Sequence, residues 1–170
     1  QGDFFAFQII QAAYFFANGE PPKRMGAAHP TLVPYQAFMC QDGKYINVAV
    51  GSARIWERFC QGMKREDLKD NPEFADNSDR VRNRGSLVAR LEGYFLKRTV
   101  AGWVEDLLAV NVPCGPINDL ADVCADPQVL ARNMYLEMPR PTLGSIKQTG
   151  LPIKFSLTPG GLDRHPPLLG

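Results

Sequence analysis

The first clear signal along the chain is a run with almost no polar positions. Phe4 to Ala17 reads FFAFQIIQAAYFFA, interrupted only by Gln8 and Gln11. Asp3 is placed to cap it and Asn18-Gly19 to end it, so the pattern predicts a helix. A helix apolar nearly all round has to be covered nearly all round. Its length of roughly 14 residues, about 21 Å, is short for a membrane span. Either the rest of the chain wraps it or its covering surface lies outside this sequence, and the second is the expectation here.

A breaker-rich connector follows, from Asn18 to Pro30, with Pro21, Pro22 and Pro30 and with Gly19 and Gly26. Such a stretch excludes regular structure and reads as a linker or functional loop. Tyr35–Met39 and Tyr45–Val50 then flank Gln41-Asp42-Gly43-Lys44, and Asp-Gly between β-rich runs predicts a hairpin. Ser52 is placed to cap a helix over Ala53–Met63, where Ile55, Trp56, Phe59 and Met63 recur at helical spacing. Leu68–Phe74 contains Pro72 and reads as irregular. One longer helix is expected from Asn77 or Ser78 to about Lys97, weakened at Gly85. Thr99 caps a further helix over Val100–Val110 that buries Trp103, Leu107 and Leu108.

Val112-Pro113-Cys114-Gly115-Pro116 reads as a rigid turn into a short helix over Asn118–Ala125. Asp126-Pro127 has the order of cap and first-turn proline. Tyr135–Met138 and Ser145–Thr149 read as strands around a Pro-Thr-Leu-Gly turn, and Leu151–Leu157 as extended chain. The pattern as a whole describes an α+β module flanked by a helix and an extended tail.

Composition adds exclusions. Hydrophobic content of 45% with 22% charged residues is ordinary for a globular domain, and a net charge of +1 supplies no footprint for nucleic acid or an anionic membrane. Bases alternate with acids over Lys64–Asp70, the mark of a solvated face. Cys40, Cys60, Cys114 and Cys124 form no CxxC pair, and only His29 and His165 could join them, so no zinc site is expected. Unpaired thiols suit a cytoplasmic setting. Neither histidine has a G-x-S-x-G partner, and Met25-Gly26-Ala27-Ala28-His29-Pro30 lacks a phosphate-loop fingerprint. No catalytic residue is assigned within the chain.

Several stretches in order resemble one family. His29-Pro30 and Pro34-Tyr35-Gln36-Ala37-Phe38, followed by Asp42-Gly43-Lys44-Tyr45-Ile46, resemble a passage of the family III CoA-transferases. So do Phe74-Ala75-Asp76-Asn77 with Arg80-Val81-Arg82-Asn83-Arg84, and Trp103 with Val112-Pro113-Cys114-Gly115-Pro116-Ile117-Asn118 and Asp126-Pro127-Gln128. Pro152-Ile153-Lys154-Phe155-Ser156 and Pro166-Pro167-Leu168-Leu169-Gly170 match the family's closing segments. That group includes formyl-CoA and carnitine CoA-transferases and α-methylacyl-CoA racemase.

The resemblance implies a division of the chain into three parts. Residues 1–34 would be a linker helix and active-site loop, 35–139 a small α+β domain of antiparallel strands packed by helices, and 140–170 a returning linker and tail. A Rossmann-like large domain would lie outside this sequence, and the parent would be an interlocked homodimer. The implied reaction moves CoA from an acyl-CoA to a carboxylic acid acceptor. It passes through anhydride and thioester intermediates on an aspartate, also outside this sequence; coenzyme A enters as a substrate thioester and no cofactor is held permanently. Gly26, Ala27, Ala28 and His29 would form the loop that closes over the acyl group, and Lys23 and Arg24 are candidates for a CoA phosphate. Asp3 remains a helix cap rather than the nucleophile. Two other readings stay open: a CoA-dependent racemase of the same family, and a stand-alone binding or scaffold module.

Overall fold

The computed structural model describes residues 9–141, 143–161 and 164–167. The described chain divides into two compact units, residues 1–117 and 118–170.

In the first unit, α1 (Ile9–Asn18) ends where Gly19, at φ +71°, donates its amide to the Phe15 carbonyl at 2.8 Å. The predicted cap Asp3 and the run Phe4–Gln8 lie outside the described residues. The rest of the chain does not wrap this helix: Tyr14 and Phe15 are exposed and Phe16 is 71% exposed. The buried core is drawn from residues 33–112 and includes no residue of α1.

β1 (Tyr35–Met39) and β2 (Tyr45–Ala49) form the expected antiparallel hairpin, in register Tyr35↔Ala49 to Met39↔Tyr45. Gly43 takes φ +72° at the turn, a conformation that glycine adopts without a Cβ clash. Asp42 does more than favour the turn, because its Oδ2 accepts the Val100 amide at 3.1 Å and ties the hairpin to a distant helix start. In β2, Ile46 and Val48 point inward and are fully buried, the period of two that one covered face requires.

α2 (Ala53–Gly62) starts where Ser52 Oγ accepts the Ile55 amide, as the spacing predicts. It contributes Trp56, Phe59 and Cys60 to the core. A short helix α3 (Glu66–Lys69) and a single tight turn (Pro72–Phe74) bury Leu68 and Phe74. The expected long helix is interrupted. Asp76, not Asn77 or Ser78, caps α4 (Asn77–Arg82), and Asn83 at φ −99°, ψ 22° separates it from α5 (Arg84–Phe95). Asn83 is held in this break by a bond from its side-chain amide to the Glu73 carbonyl at 2.9 Å, a local competitor to helical pairing. α6 (Val100–Ala109) is capped by Thr99 as expected and buries Val100, Trp103 and Leu107, although Leu108 is exposed.

The stretch expected to be a rigid turn is instead β3 (Cys114–Ile117), an antiparallel edge strand on β2 with Val48↔Cys114 and Tyr45↔Ile117 in register. The sheet order is β1-β2-β3. Pro116 lacks an amide hydrogen and is tolerated because β3 is an edge. The core is knit by aromatics from β1, α2, α5 and α6, with Phe59 of α2 6.4 Å from Phe95. Phe95 stacks on Phe38 at 4.6 Å and meets the edge of Trp103 at 5.3 Å, and the Trp103 indole donates to the Phe95 carbonyl. The α+β expectation, antiparallel strands packed by helices, holds.

The second unit has two short helices. α7 (Leu120–Ala125) carries a reciprocal capping box between Asp119 and Asp122, and Asp126 caps α8 (Pro127–Ala131). β4 (Tyr135–Arg140) and β5 (Gly144–Thr149) pair antiparallel from Tyr135↔Thr149 to Arg140↔Gly144. Leu151–Leu157 joins no strand. Among the described residues no helix is long and apolar enough to cross a membrane.

Candidate functional site

The connector after α1 has a free end and a fixed end. Residues 20–27 are exposed, Ala28, His29 and Pro30 are half-buried, and Val33 and Pro34 are buried. At the free end a turn closes from the Ala28 amide to the Met25 carbonyl at 3.1 Å, with Gly26 at φ +61°. Nothing lies within 4 Å of the position a Cβ would take on Gly26, so the backbone there faces open space. The loop and Tyr14 of α1 enclose an open cleft of about 550 Å³, with Lys23, Met25, Gly26 and Ala28 on its wall.

The sequence candidates therefore separate. Lys23, Gly26 and Ala28 line the cleft; Arg24 and Ala27 are exposed outside the lining; and His29 belongs to the fixed end. The His29 ring stacks on Tyr35 at 5.1 Å, and its Nδ1 accepts the Thr31 amide at 3.2 Å. That acceptor role puts the proton of the neutral ring on Nε2. The His29 amide also donates to the Tyr35 carbonyl at 2.9 Å, which joins the loop to β1.

The fixed end is held by three side chains that spacing alone did not single out as site residues. Asn77 donates to the Thr31 carbonyl at 2.7 Å and accepts the Val33 amide at 3.3 Å. Arg80 donates from Nε to the Val33 carbonyl and from Nη1 to the Phe74 carbonyl, both at 2.9 Å. Arg84 donates from Nη2 to the carbonyls of His29 at 2.8 Å and Pro30 at 2.9 Å. Four loop carbonyls, those of His29, Pro30, Thr31 and Val33, thus face donors on α4 and the start of α5. Asn77 and Arg80 share a face of α4, whereas Arg84 lies past the break at Asn83, so sequence spacing alone does not bring the three together. Arg80 is 1% exposed, lies 4.7 Å over Trp56, and burial depresses its pKa; burial depresses that of Arg84 as well.

Among the described residues the cleft wall carries one carboxylate, Glu20, which is exposed. A carboxylate in water is a weak nucleophile, so this wall can shield or bind but supplies no attacking group. The three thiols of the first unit do not fill the gap. Burial, reinforced by Asp42, pushes the Cys40 pKa up to about 11, and burial with Glu66 pushes that of Cys60 up to about 12. Burial raises Cys114 too. All three are protonated and inert at neutral pH. Among the described residues no group of three His, Cys, Asp or Glu side chains could hold a metal ion.

Comparison with known proteins covers nearly the whole chain. The family model "CoA-transferase family III" matches residues 3–170. The succinyl-CoA:glutarate CoA-transferase of Homo sapiens is 36% identical over 159 residues, covering 94% of this chain and 36% of that protein. The acetyl-CoA:oxalate CoA-transferase of Acetobacter aceti is 31% identical over 140 residues, covering 82% of this chain and 34% of that protein. The chain thus spans little more than a third of the length of the curated relatives it matches. Among solved structures, a CAIB/BAIF family protein from Brucella suis superposes with a TM-score of 0.79 at 36% identity. It covers 95% of this chain and 41% of that one.

Proposed function

The chain belongs to CoA-transferase family III, and on that premise we propose that it is the lid-bearing part of an acyl-CoA:carboxylate CoA-transferase. The observation that carries this reading is the loop itself. A small-residue backbone at Gly26–Ala28 fronts an open cleft, while its far end is pinned to a rigid domain. Such a segment suits closure over a reacting thioester and has no role as the attacking group.

The chemistry explains why a lid is needed. A carboxylate of the parent, outside this chain, attacks the acyl-CoA carbonyl; the C–S bond breaks and CoA leaves as thiolate, giving a mixed anhydride. The thiolate attacks the aspartyl carbonyl of the anhydride, releases the first acid as carboxylate and leaves an aspartyl-CoA thioester. The acceptor carboxylate attacks that thioester, expels the thiolate, and the thiolate then takes the acyl carbonyl of the new anhydride. The enzyme carboxylate is regenerated. Each intermediate is an activated acyl group that water would hydrolyse, so transfer depends on exclusion of water and on fixed geometry. Gly26, Ala27, Ala28 and His29 are proposed as that loop, with Gly26–Ala28 closing and His29 at its fixed end. Lys23, on the cleft wall, is proposed to meet a CoA phosphate, with exposed Arg24 in a secondary role.

The exposed apolar side chains of α1 and of the segment after β5 support a Rossmann-like large domain as their covering surface, in an interlocked homodimer. The unpaired cysteines support a cytoplasmic location. In the test, the parent enzyme is given succinyl-CoA with glutarate, oxalate or mesaconate as acceptor. Formation of the acceptor's CoA thioester is expected. Exchange of an α-proton without transfer would instead mark a racemase, and robust turnover by these 170 residues alone would overturn the division of labour.

A further inference from the structure

Three side chains hold the fixed end of the loop, but they do so with different obligations. Arg80 also serves the interior: beyond Val33 it bonds the Phe74 carbonyl and covers Trp56, and it is fully buried. Asn77 sits at the first residue of α4 and braces Thr31 and Val33, further from the cleft. Arg84 is half-buried, and both hydrogen bonds from its Nη2 go to the loop, at the two carbonyls next to the cleft-lining Ala28. Its Nη1 is buried without a hydrogen-bond partner. A nitrogen without a protein partner adds no bond of its own, so the loop carbonyls are what the hydrogen bonds of Arg84 serve. One guanidinium nitrogen, Nη2, reaches both consecutive carbonyls, held there by a planar group that stays charged.

We propose that Arg84 is a positioning residue of the lid: it fixes the His29–Pro30 end so that Gly26–Ala28 close over the acyl group in one place and keep water out. This rests on reading residues 23–30 as a lid. Arg84 touches neither substrate nor the reacting atoms in this account. Its effect passes through the loop backbone, so it falls on the partition of the acyl intermediate between acceptor acid and water, with little change in substrate affinity.

The test uses the full-length parent and the variants Arg84→Gln and Arg84→Lys. With Arg84→Gln the transfer kcat is expected to fall about 10- to 100-fold while KM for the acyl-CoA moves less than about threefold. The hydrolysed share of acyl-CoA rises by about tenfold, and Arg84→Lys, which keeps a charged donor at shorter reach, recovers part of the loss. Independently of activity, trypsin cuts after Lys23 and Arg24, both exposed on the loop, and its rate at those bonds rises by about tenfold at a Tm within about 4 °C of wild type. Wild-type partition and wild-type cutting in Arg84→Gln overturn the proposal. So does global unfolding of Arg84→Lys, which would make the residue a core anchor. If the wild-type parent transfers no CoA, the lid reading fails instead, and the cutting rates still decide whether Arg84 holds the loop.

Discussion

Residues 33–112 and residues 118–170 are both assembled from short helices and short antiparallel strands, yet their interiors differ completely. In the first stretch α2, α5 and α6 each send three or more buried side chains to one cluster, and β1 and β2 supply its floor. In the second, neither α7 nor α8 buries a residue, and the β4–β5 hairpin alternates only between half-buried and exposed positions. Leu120 is 83% exposed and Leu157 is 93% exposed. Local signals are equally good in both, since Asp119, Asp122 and Asp126 cap their helices as well as Ser52 and Thr99 do. Caps set where an element begins; buried area decides whether it holds. The first stretch has a buried core of its own, and the described residues of the second bury no large apolar side chain.

The largest effect expected to sharpen this contrast comes from Arg80→Met. It keeps the stem but strands the Val33 and Phe74 carbonyls in the interior and removes the cation over Trp56. A loss of about 3–5 kcal/mol is expected in urea unfolding of the first unit. Amide exchange should accelerate across β1–β3 and α2–α6 and stay unchanged in β4–β5. If exchange in the hairpin moved equally, the two units would be one cooperative body.

Alkali should also act on the first unit through its buried thiols. Cys60 and Cys40 have folded pKa values raised to about 12 and about 11 from an ordinary 9.0. Below pH 9 both states hold these protons and the full stability is present. As pH rises towards 12 the unfolded chain ionises first and stability falls, by at most about 1.4 kcal/mol per pH unit for each thiol. Urea midpoints between pH 8.5 and 11 measure this, and Cys60→Ala is expected to flatten the slope even though its midpoint is lower throughout. A slope unaltered by Cys60→Ala and Cys40→Ala would assign the alkaline loss to other groups.

A smaller change tests the second unit. Asp119→Ala deletes one arm of the capping box of α7 and is expected to cost about 1 kcal/mol locally. Faster exchange of the Asp122–Ala125 amides with an unshifted melt of the first unit would support the separation. A shifted melt would join the two.

What could be read in the sequence follows the same division between local and long-range causes. The Asp42-Gly43 turn, the Ser52 and Thr99 caps and Asp126-Pro127 are decided within four residues, and each stands as expected. β3 was hidden because Pro113, Gly115 and Pro116 read as breakers, whereas its pairing is dictated by the free edge of β2, far back in the chain. The break at Asn83 depends on a carbonyl at Glu73 contributed by the preceding turn. The loop at Gly26–Ala28 was legible from small residues among prolines. Its clamp was not, because an arginine among polar neighbours reads as solvated until the carbonyls it serves are known. Arg80 is the extreme case, a cation among the most deeply buried residues of the chain.

The smallest effect expected in the 170-residue chain itself tests whether a second surface completes the molecule. Phe155 and Leu157 follow β5, are 59% and 93% exposed, and belong to a segment that pairs with no strand. In the 170-residue chain, Phe155→Ser and Leu157→Ser are each expected to change stability by less than about 0.5 kcal/mol, because little apolar area is withdrawn from water at either site. In the full-length parent the same substitutions are expected to cost about 1.5–3 kcal/mol, the transfer energy of a large side chain that has become covered. Parallel thermal and urea melts of both chains make the comparison. If both substitutions are silent in the parent too, the exposed tail is simply exposed, and the second unit must be stabilised by something other than a covering domain.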